Sequence, residues 1–193
     1  MAPQPLKEEY LLSSSLEETN QWYAIAKITG IKLIESIRNQ FSKDFVSLMP
    51  TNLYGPGDNY DPKTSHVLPA LIRKFIEAKQ KKLKKVTIWG SGNPLREFLH
   101  VDDLASAILF CLKNKLPESI YNIGSGDELS IKKLSQMISK ITCFKGDIEF
   151  DSSMPDGTPR KLLDISRINN LGWKKKIELD EGIKMTIKNY LEC

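Results

Sequence analysis

The stretch QWYAIAKITGIKLIESIRNQ, residues 21–40, is followed by FVSLM, residues 45–49, and then by PTNLYGPGDN, residues 50–59. In the first segment apolar residues recur every three or four positions with charged residues between them, which predicts a long amphipathic helix. The second segment is a short apolar run stopped by a proline, which predicts a largely buried strand. A helix followed by a single buried strand is typical of α/β proteins.

The same alternation continues along the chain. Further helices are predicted at 65–76, 104–112, 130–141, 165–170 and 180–191, with Ser65 and Asp102 as the residues that cap two of them. Further strands are predicted at 86–89, 98–101, 120–123 and 148–150. The sequence therefore predicts an α/β fold without internal repeats.

Composition excludes several classes of protein. The 193 residues are 40% hydrophobic and 27% charged, with a formal net charge of +4, as in an ordinary globular protein. No apolar stretch is long enough to span a membrane, and the N-terminus lacks the apolar core of a signal peptide. The basic run at 79–85 contains no aromatic residue, so we interpret it as a solvated face and expect no nucleic-acid partner.

The cysteines indicate a reducing compartment. Cys111, Cys143 and Cys193 have neither metal-site nor disulfide-framework spacing, so we expect free thiols, no metal site and a cytoplasmic protein.

Tyr23 and Lys27 are one helical turn apart and are therefore expected on one face of the first helix. An ammonium at that distance favours the ionised phenol and lets a tyrosine exchange a proton near neutral pH. Taken alone, the spacing favours a solvated helix face over a catalytic pair, because Tyr-x-x-x-Lys also arises by chance in a lysine-rich chain.

Longer motifs surround this pair. They are PTNLYGPGDN at 50–59, SHVLPALIR at 65–73, WGSG at 89–92, REFLHVDD at 96–103 and PDGTPRKLLD at 155–164. On these motifs and the Tyr23 segment, the chain resembles the extended short-chain dehydrogenase/reductases of the NAD-dependent epimerase/dehydratase family. Within that superfamily it is most similar to the GDP-L-fucose synthase family.

The resemblance implies the C-terminal part of such an enzyme, namely an incomplete Rossmann sheet plus a smaller α/β substrate-binding domain. Residues 1–64 would belong to the NADP-binding Rossmann domain, to which the strand near 119–123 returns, and residues 65–193 would form the nucleotide-sugar domain. The GSG sequences at 90–92 and 124–126 lack the third glycine of a dinucleotide fingerprint. That glycine-rich turn, a catalytic serine and an epimerising cysteine are expected upstream of Met1.

The implied activity is 3,5-epimerisation and NADPH-dependent 4-reduction of GDP-4-keto-6-deoxy-D-mannose to GDP-L-fucose. The catalytic residues would be Tyr23, Lys27 and His66, with Tyr23 as proton donor to the C4 oxygen and His66 as an acid/base. The full enzyme is expected to be a homodimer that takes a GDP-sugar, whereas this chain alone is expected to be inactive.

The resemblance also assigns the binding residues. NADP(H) would contact the residues Tyr23, Lys27, Pro50, Thr51, Asn52, Leu53 and His66. The substrate would contact the residues Asn52, Lys74, Trp89, Arg96, Asp156 and Lys161, of which Lys74 stands where relatives carry an arginine. Taken without the resemblance, Trp89 also fits a core residue and Arg96-Glu97 a surface ion pair.

Two other functions remain open. Another nucleotide-sugar epimerase or dehydratase shares the Tyr/Lys pair, although the Thr64-Ser65-His66 segment and the loop at 155–161 argue against it. A non-catalytic GDP-sugar-binding fragment would keep the pocket without the chemistry.

Overall fold

The computed structural model describes residues 2–192. The α-helices are α1 (Gln21–Phe41), α2 (Val67–Gln80), α3 (Val101–Lys113), α4 (Ile131–Thr142), α5 (Ser166–Asn170) and α6 (Leu179–Glu192). The strands are β1 (Ser47–Pro50), β2 (Asn52–Tyr54), β3 (Lys85–Trp89), β4 (Leu95–His100), β5 (Ile120–Ile123), β6 (Glu128–Ser130), β7 (Asp147–Asp151) and β8 (Arg160–Lys161).

The long helix α1 confirms the prediction made from its periodicity. Its expected apolar stripe, which includes Ala24 and Ile28, is the half-buried side of the helix. No residue of α1 is fully buried, and the side chain of Trp22 is 75% exposed. This helix therefore presents a large apolar surface that the rest of the chain does not cover.

The strands form three small sheets. In the first, β1 pairs with β5 in parallel; in the second, β2 and β8 pair in parallel with β4, and β6 pairs antiparallel to it; in the third, β3 pairs with β7 in parallel. The central strand β4 thus joins three segments that are distant in sequence. The strand near 119–123 lies against β1, whereas the division into two domains stays a prediction.

Two apolar cores support these sheets. The larger core packs α2, α4 and α6 around residues such as Phe75, Leu134 and Ile183. The smaller core surrounds β5 and includes Tyr121 and Trp173. Burial of apolar surface in both cores is the main stabilising contribution.

Several boundaries differ from the predictions. Phe45 lies before β1 and is 49% exposed, because the short strand begins only where pairing with β5 begins. The N-terminal cap of α2 is His66 rather than Ser65. The cap of α3 is His100, whose imidazole Nδ1 accepts a hydrogen bond from the Asp102 backbone, so Asp102 is inside the helix.

Three strands were not predicted. β2, β6 and β8 have two or three residues each, too few to show a period in the sequence. They form because β4 offers backbone partners on both sides.

Within residues 2–192 no helix is long and apolar enough to cross a membrane. Cys111 and Cys143 are free thiols, and Cys193 lies outside the described residues.

Candidate functional site

A cavity of about 530 Å³ lies between α2 and the end of β3. One wall is formed by a face of α2 and another by β3, by the turn that follows it and by β4. The lining residues include Tyr60, Lys63, Ser65, Val67, Ala70, Arg73, Lys74, Glu77, Ile88, Trp89, Arg96, Ile131 and Asp156.

Helical spacing explains the wall that α2 contributes. Val67, Ala70, Lys74 and Glu77 follow one another at intervals of three or four residues, so they share a face. The opposite face, with Phe75, is buried in the larger core and holds the helix in place.

Lys74 and Trp89 meet at the rim of the cavity. The Lys74 Nζ donates a hydrogen bond to the Thr87 carbonyl oxygen at 2.9 Å and lies 6.0 Å from the centre of the Trp89 ring. Burial lowers the pKa of the Lys74 ammonium. Trp89 is 68% exposed, so it is not a core residue, and its ring is accessible to a ligand.

Asp156 is held by the turn that follows β3. Its carboxylate accepts hydrogen bonds from the Ser91 backbone amide at 2.6 Å and from the Ser91 hydroxyl at 2.7 Å. Gly90 has φ +81, and a Cβ there would collide with the Asp156 carboxylate. A carboxylate has further lone pairs, so Asp156 still has acceptor capacity for a ligand.

Arg96 and Lys161 lie side by side on neighbouring strands. They are register partners in the parallel pair of β4 and β8. Burial lowers the pKa of the Arg96 guanidinium, and the nearby Asp156 carboxylate partly opposes this shift. Lys161 is exposed and is not among the residues that line the cavity.

The charges of the cavity favour an anion. Arg73 is neutralised by Glu77, with Nε and Oε1 2.6 Å apart. Lys74 and Arg96 instead donate to backbone carbonyls, and neither forms a salt bridge with any of the described residues. Two partly desolvated cations that form no salt bridge are suited to bind phosphate oxygens.

The predicted proton-transfer pair lies on α1. The Lys27 Nζ is 5.4 Å from the centre of the Tyr23 ring, which confirms that both side chains share one helix face. Tyr23 is 62% exposed, so its hydroxyl is accessible. Neither residue lines the cavity.

The segment at 50–53 spans the end of β1 and the start of β2, with Thr51 between the two strands. The Thr51 backbone amide donates to the Ile123 carbonyl at 2.9 Å, and the Asn52 Nδ2 donates to the Glu97 carbonyl at 2.7 Å. Pro50 is exposed, and Leu53 packs against the smaller core.

His66 is exposed at the N-terminal end of α2. Its neighbours Ser65 and Val67 line the cavity, whereas His66 itself does not. The structure thus brings Lys74, Trp89, Arg96 and Asp156 together. The other predicted site residues lie outside that lining.

Arg73 and Lys63 also line the cavity but were not predicted as site residues. For Arg73 a signal existed, because it follows Ala70 by three residues on the predicted helix and precedes Lys74 directly. Lys63 lies in a loop, where no periodicity reports a side chain's direction.

In the part of the chain that the structure describes, no group of three or more His, Cys, Asp or Glu side chains is arranged to hold a metal ion.

Comparison with known proteins relates this geometry to a family. The model of the NAD dependent epimerase/dehydratase family matches residues 1–124. GDP-L-fucose synthase 1 of Arabidopsis thaliana is 51% identical over 191 residues, which are 99% of this chain and 59% of that protein. The chain thus spans about three fifths of the length of the curated relatives that it matches.

Two solved structures are similar over nearly the whole chain. The GDP-mannoheptose C4 reductase MlghC of Campylobacter jejuni, with NADP bound, is 36% identical with a TM-score of 0.89, covering 98% of this chain and 66% of that one. A GDP-L-fucose synthetase of Naegleria fowleri bound to NADP is 29% identical with a TM-score of 0.89, covering 99% and 62%.

The α/β fold, the Tyr/Lys helix face and the match over residues 1–124 agree with one another. The chain belongs to the NAD dependent epimerase/dehydratase family.

Proposed function

We propose that this chain is the nucleotide-sugar-binding part of a GDP-L-fucose synthase, which converts GDP-4-keto-6-deoxy-D-mannose to GDP-L-fucose by 3,5-epimerisation and 4-reduction with NADPH. The observation that carries the proposal is the cavity in which Lys74 and Arg96 form no salt bridge within residues 2–192 and lie with the accessible ring of Trp89. A diphosphate supplies the missing negative charge, and a purine or sugar ring packs against the indole.

Arg96 is the principal diphosphate ligand in this proposal, because its planar guanidinium can bind two oxygens at once. Lys161, its register partner on β8, adds a second charge from the neighbouring strand. Lys74 acts as a point charge at the rim, and Asp156 accepts hydrogen bonds from the nucleotide. Asn52 positions the sugar.

The residues on α1 and at 50–53 fit NADP(H) by their chemistry, because an accessible phenol and an ammonium on one helix face can hydrogen-bond the nicotinamide ribose. Tyr23, Lys27, Pro50, Thr51, Asn52, Leu53 and His66 would hold this end of the cofactor. When bound, the cofactor supplies the hydride for the ketone.

The chain's own residues move the protons. Tyr23 donates its hydroxyl proton to the C4 oxygen, while the Lys27 ammonium lies beside the same ring and hydrogen-bonds the ribose. His66 acts as an acid/base in epimerisation, where the protons next to the ketone are acidic.

Residues 1–64 form the Rossmann part, residues 65–193 form the substrate part, and the enzyme is cytoplasmic.

The uncovered surface of α1 supports the proposed homodimer. Trp22, Ile25 and Leu33 are exposed on this helix, and a second copy would remove them from water. Light scattering of the chain and of Leu33→Ser tests this, since a monomeric wild type would contradict it.

A related second function has its own support. The 36% identity to a GDP-mannoheptose C4 reductase favours reduction of another GDP-linked 4-keto sugar at the same site. A GDP-sugar-binding fragment without catalysis remains the third candidate.

One experiment separates these functions. The chain is incubated with NADPH and GDP-4-keto-6-deoxy-D-mannose, and nucleotide binding and NADPH oxidation are measured in parallel. We expect saturable GDP binding without turnover by this chain alone. Turnover would contradict its expected inactivity, and product analysis would then separate GDP-fucose from an unepimerised product.

A further inference from the structure

Glu97 carries a buried carboxyl group that the proposed mechanism does not use. Its side chain, on β4, has no solvent exposure, so it does not form the surface ion pair with Arg96 that the sequence allows. Among residues 2–192 its carboxylate forms no salt bridge with a cation, and its partners are instead donors on two loops. Burial of a carboxylate without a cation is costly, and donors that bond to its oxygens offset part of this cost.

The two carboxylate oxygens of Glu97 hold two different segments. Oε1 accepts from the Gly126 backbone amide at 2.8 Å and from the Ser125 hydroxyl at 3.4 Å. Oε2 accepts from the Leu163 backbone amide at 3.0 Å. The carboxylate thereby joins the turn after β5 to the segment after β8.

The bond to Leu163 extends a very short pairing. The parallel ladder between β4 and β8 covers only Arg160 and Lys161. Two residues after Lys161, the Leu163 backbone amide donates to the Glu97 carboxylate instead of to a backbone carbonyl of β4. This bond therefore ties the segment that follows Lys161 to the strand after Arg96, in addition to the backbone bonds that Leu162 and Asp164 form with Leu6.

The backbone of the same residue reaches the other side of the site. The Glu97 carbonyl accepts from the Asn52 Nδ2 at 2.7 Å and from the Thr51 hydroxyl at 3.3 Å. Residue 97 is thus the point at which the segments of Asn52, Arg96 and Lys161 are connected.

Resting on the proposed function, we infer that Glu97 is a positioning residue of the nucleotide-sugar site, whose buried carboxylate sets the placement of Lys161 relative to Arg96. It touches neither substrate nor cofactor. Its carboxylate accepts hydrogen bonds from backbone amides on two segments, so both of its oxygens must be acceptors.

The surroundings of the carboxylate leave little freedom. A Cβ at Gly124 would collide with the Glu97 Oε1 and would lie 2.9 Å from its Cδ, so the side chain fills the space above that glycine. Burial raises the pKa of the Glu97 carboxyl, and the amides of Leu163 and Gly126 oppose this shift. Glutamine has nearly the same shape, but its NH2 group would face one of the backbone amides as donor against donor.

The test is a double-mutant cycle on the full chain with GDP as the probe. Glu97→Gln, Lys161→Ala and the double variant are compared by calorimetry. We expect each single variant to bind GDP about tenfold more weakly, and the double variant to bind no more weakly than Lys161→Ala. The control is Ile138→Val, which loosens the larger core at a fully buried position outside the cavity lining. It should lower thermal stability without changing GDP affinity.

A second readout does not depend on the nucleotide. Hydrogen exchange of the free proteins should show faster exchange at Leu163 and Gly126 in Glu97→Gln, with unchanged protection in α4. Wild-type affinity in Glu97→Gln, or additive losses in the double variant, would overturn the inference. If the wild type fails to bind GDP, the proposed function fails, and unchanged exchange at Leu163 would separately refute the positioning role.

Discussion

Replacing Lys74 by methionine removes a cation from the rim of the cavity while keeping a side chain of similar length. The wild-type ammonium is held by the Thr87 carbonyl and forms no salt bridge among the described residues, so a bound phosphate would be its charged partner. A hydrogen bond to a charged group contributes about 1.5–3 kcal/mol. Because Lys74 is exposed to water on one side, we take the lower end, which corresponds to roughly tenfold weaker GDP binding.

The same residue predicts a pH dependence. Burial lowers the pKa of Lys74 from its ordinary value of 10.5, whereas a bound phosphate favours the ammonium and raises it. Binding is therefore strongest where Lys74 is protonated in the free protein. It weakens as the pH rises from neutrality through the lowered pKa, which lies below the ordinary 10.5.

Calorimetric titration with GDP across this range tests both expectations. Lys74→Arg stays charged over this range. Its affinity for GDP should fall only because the guanine base itself ionises, and that loss is common to all variants. Lys79→Met, on the same helix but outside the cavity, is the matched control. Equal affinities and identical pH profiles for wild type and Lys74→Met would refute a phosphate role for Lys74.

Three further predictions concern the indole and particular glycines. Trp89→Ala should weaken GDP binding at least about tenfold in the same titration, since stacking contributes about 1–3 kcal/mol, and an unchanged affinity would contradict the proposed contact. Gly90→Ala, at φ +81, should also weaken GDP binding, because the turn that holds the Asp156 carboxylate must move. A GDP titration curve equal to that of the wild type would argue against this. Gly182→Ala should lower the free energy of unfolding in urea by about 1–3 kcal/mol, because its Cβ would lie 2.9 Å from a ring carbon of Tyr54. The matched change Gly30→Ala in α1, with open space around it, should instead raise the free energy of unfolding by up to about 1 kcal/mol. An equal effect of Gly182→Ala and Gly30→Ala would disprove the clash with Tyr54 as the cause.

The longer elements could be predicted from the sequence because their patterns are local. The stripe of α1 is long enough to reveal a helical period, and β5 is a short run rich in isoleucine and tyrosine that ends at the turn residues 124–126. The strands β2, β6 and β8 could not be predicted, because each exists only through its pairing with β4. Such pairing depends on contacts between distant segments, and no local pattern records them.

The candidate site shows the same division. Trp89 and Arg96 could be assigned through long motifs, and the structure brings both to the cavity. The register between Arg96 and Lys161 could not be anticipated, since β8 was not predicted. Glu97 was open to interpretation as a surface residue because charged residues are rarely buried, and only the three-dimensional placement of Gly126 and Leu163 shows its partners.

Parallel calorimetric titration of the purified chain with GDP and UDP tests whether its pocket is selective for a guanine nucleotide. We predict saturable binding of GDP, about tenfold or more weaker binding of UDP, and loss of this preference in Trp89→Ala. Equal affinity for both nucleotides would contradict a guanine-selective pocket. So would binding of neither nucleotide by a chain whose circular dichroism shows the folded α/β content.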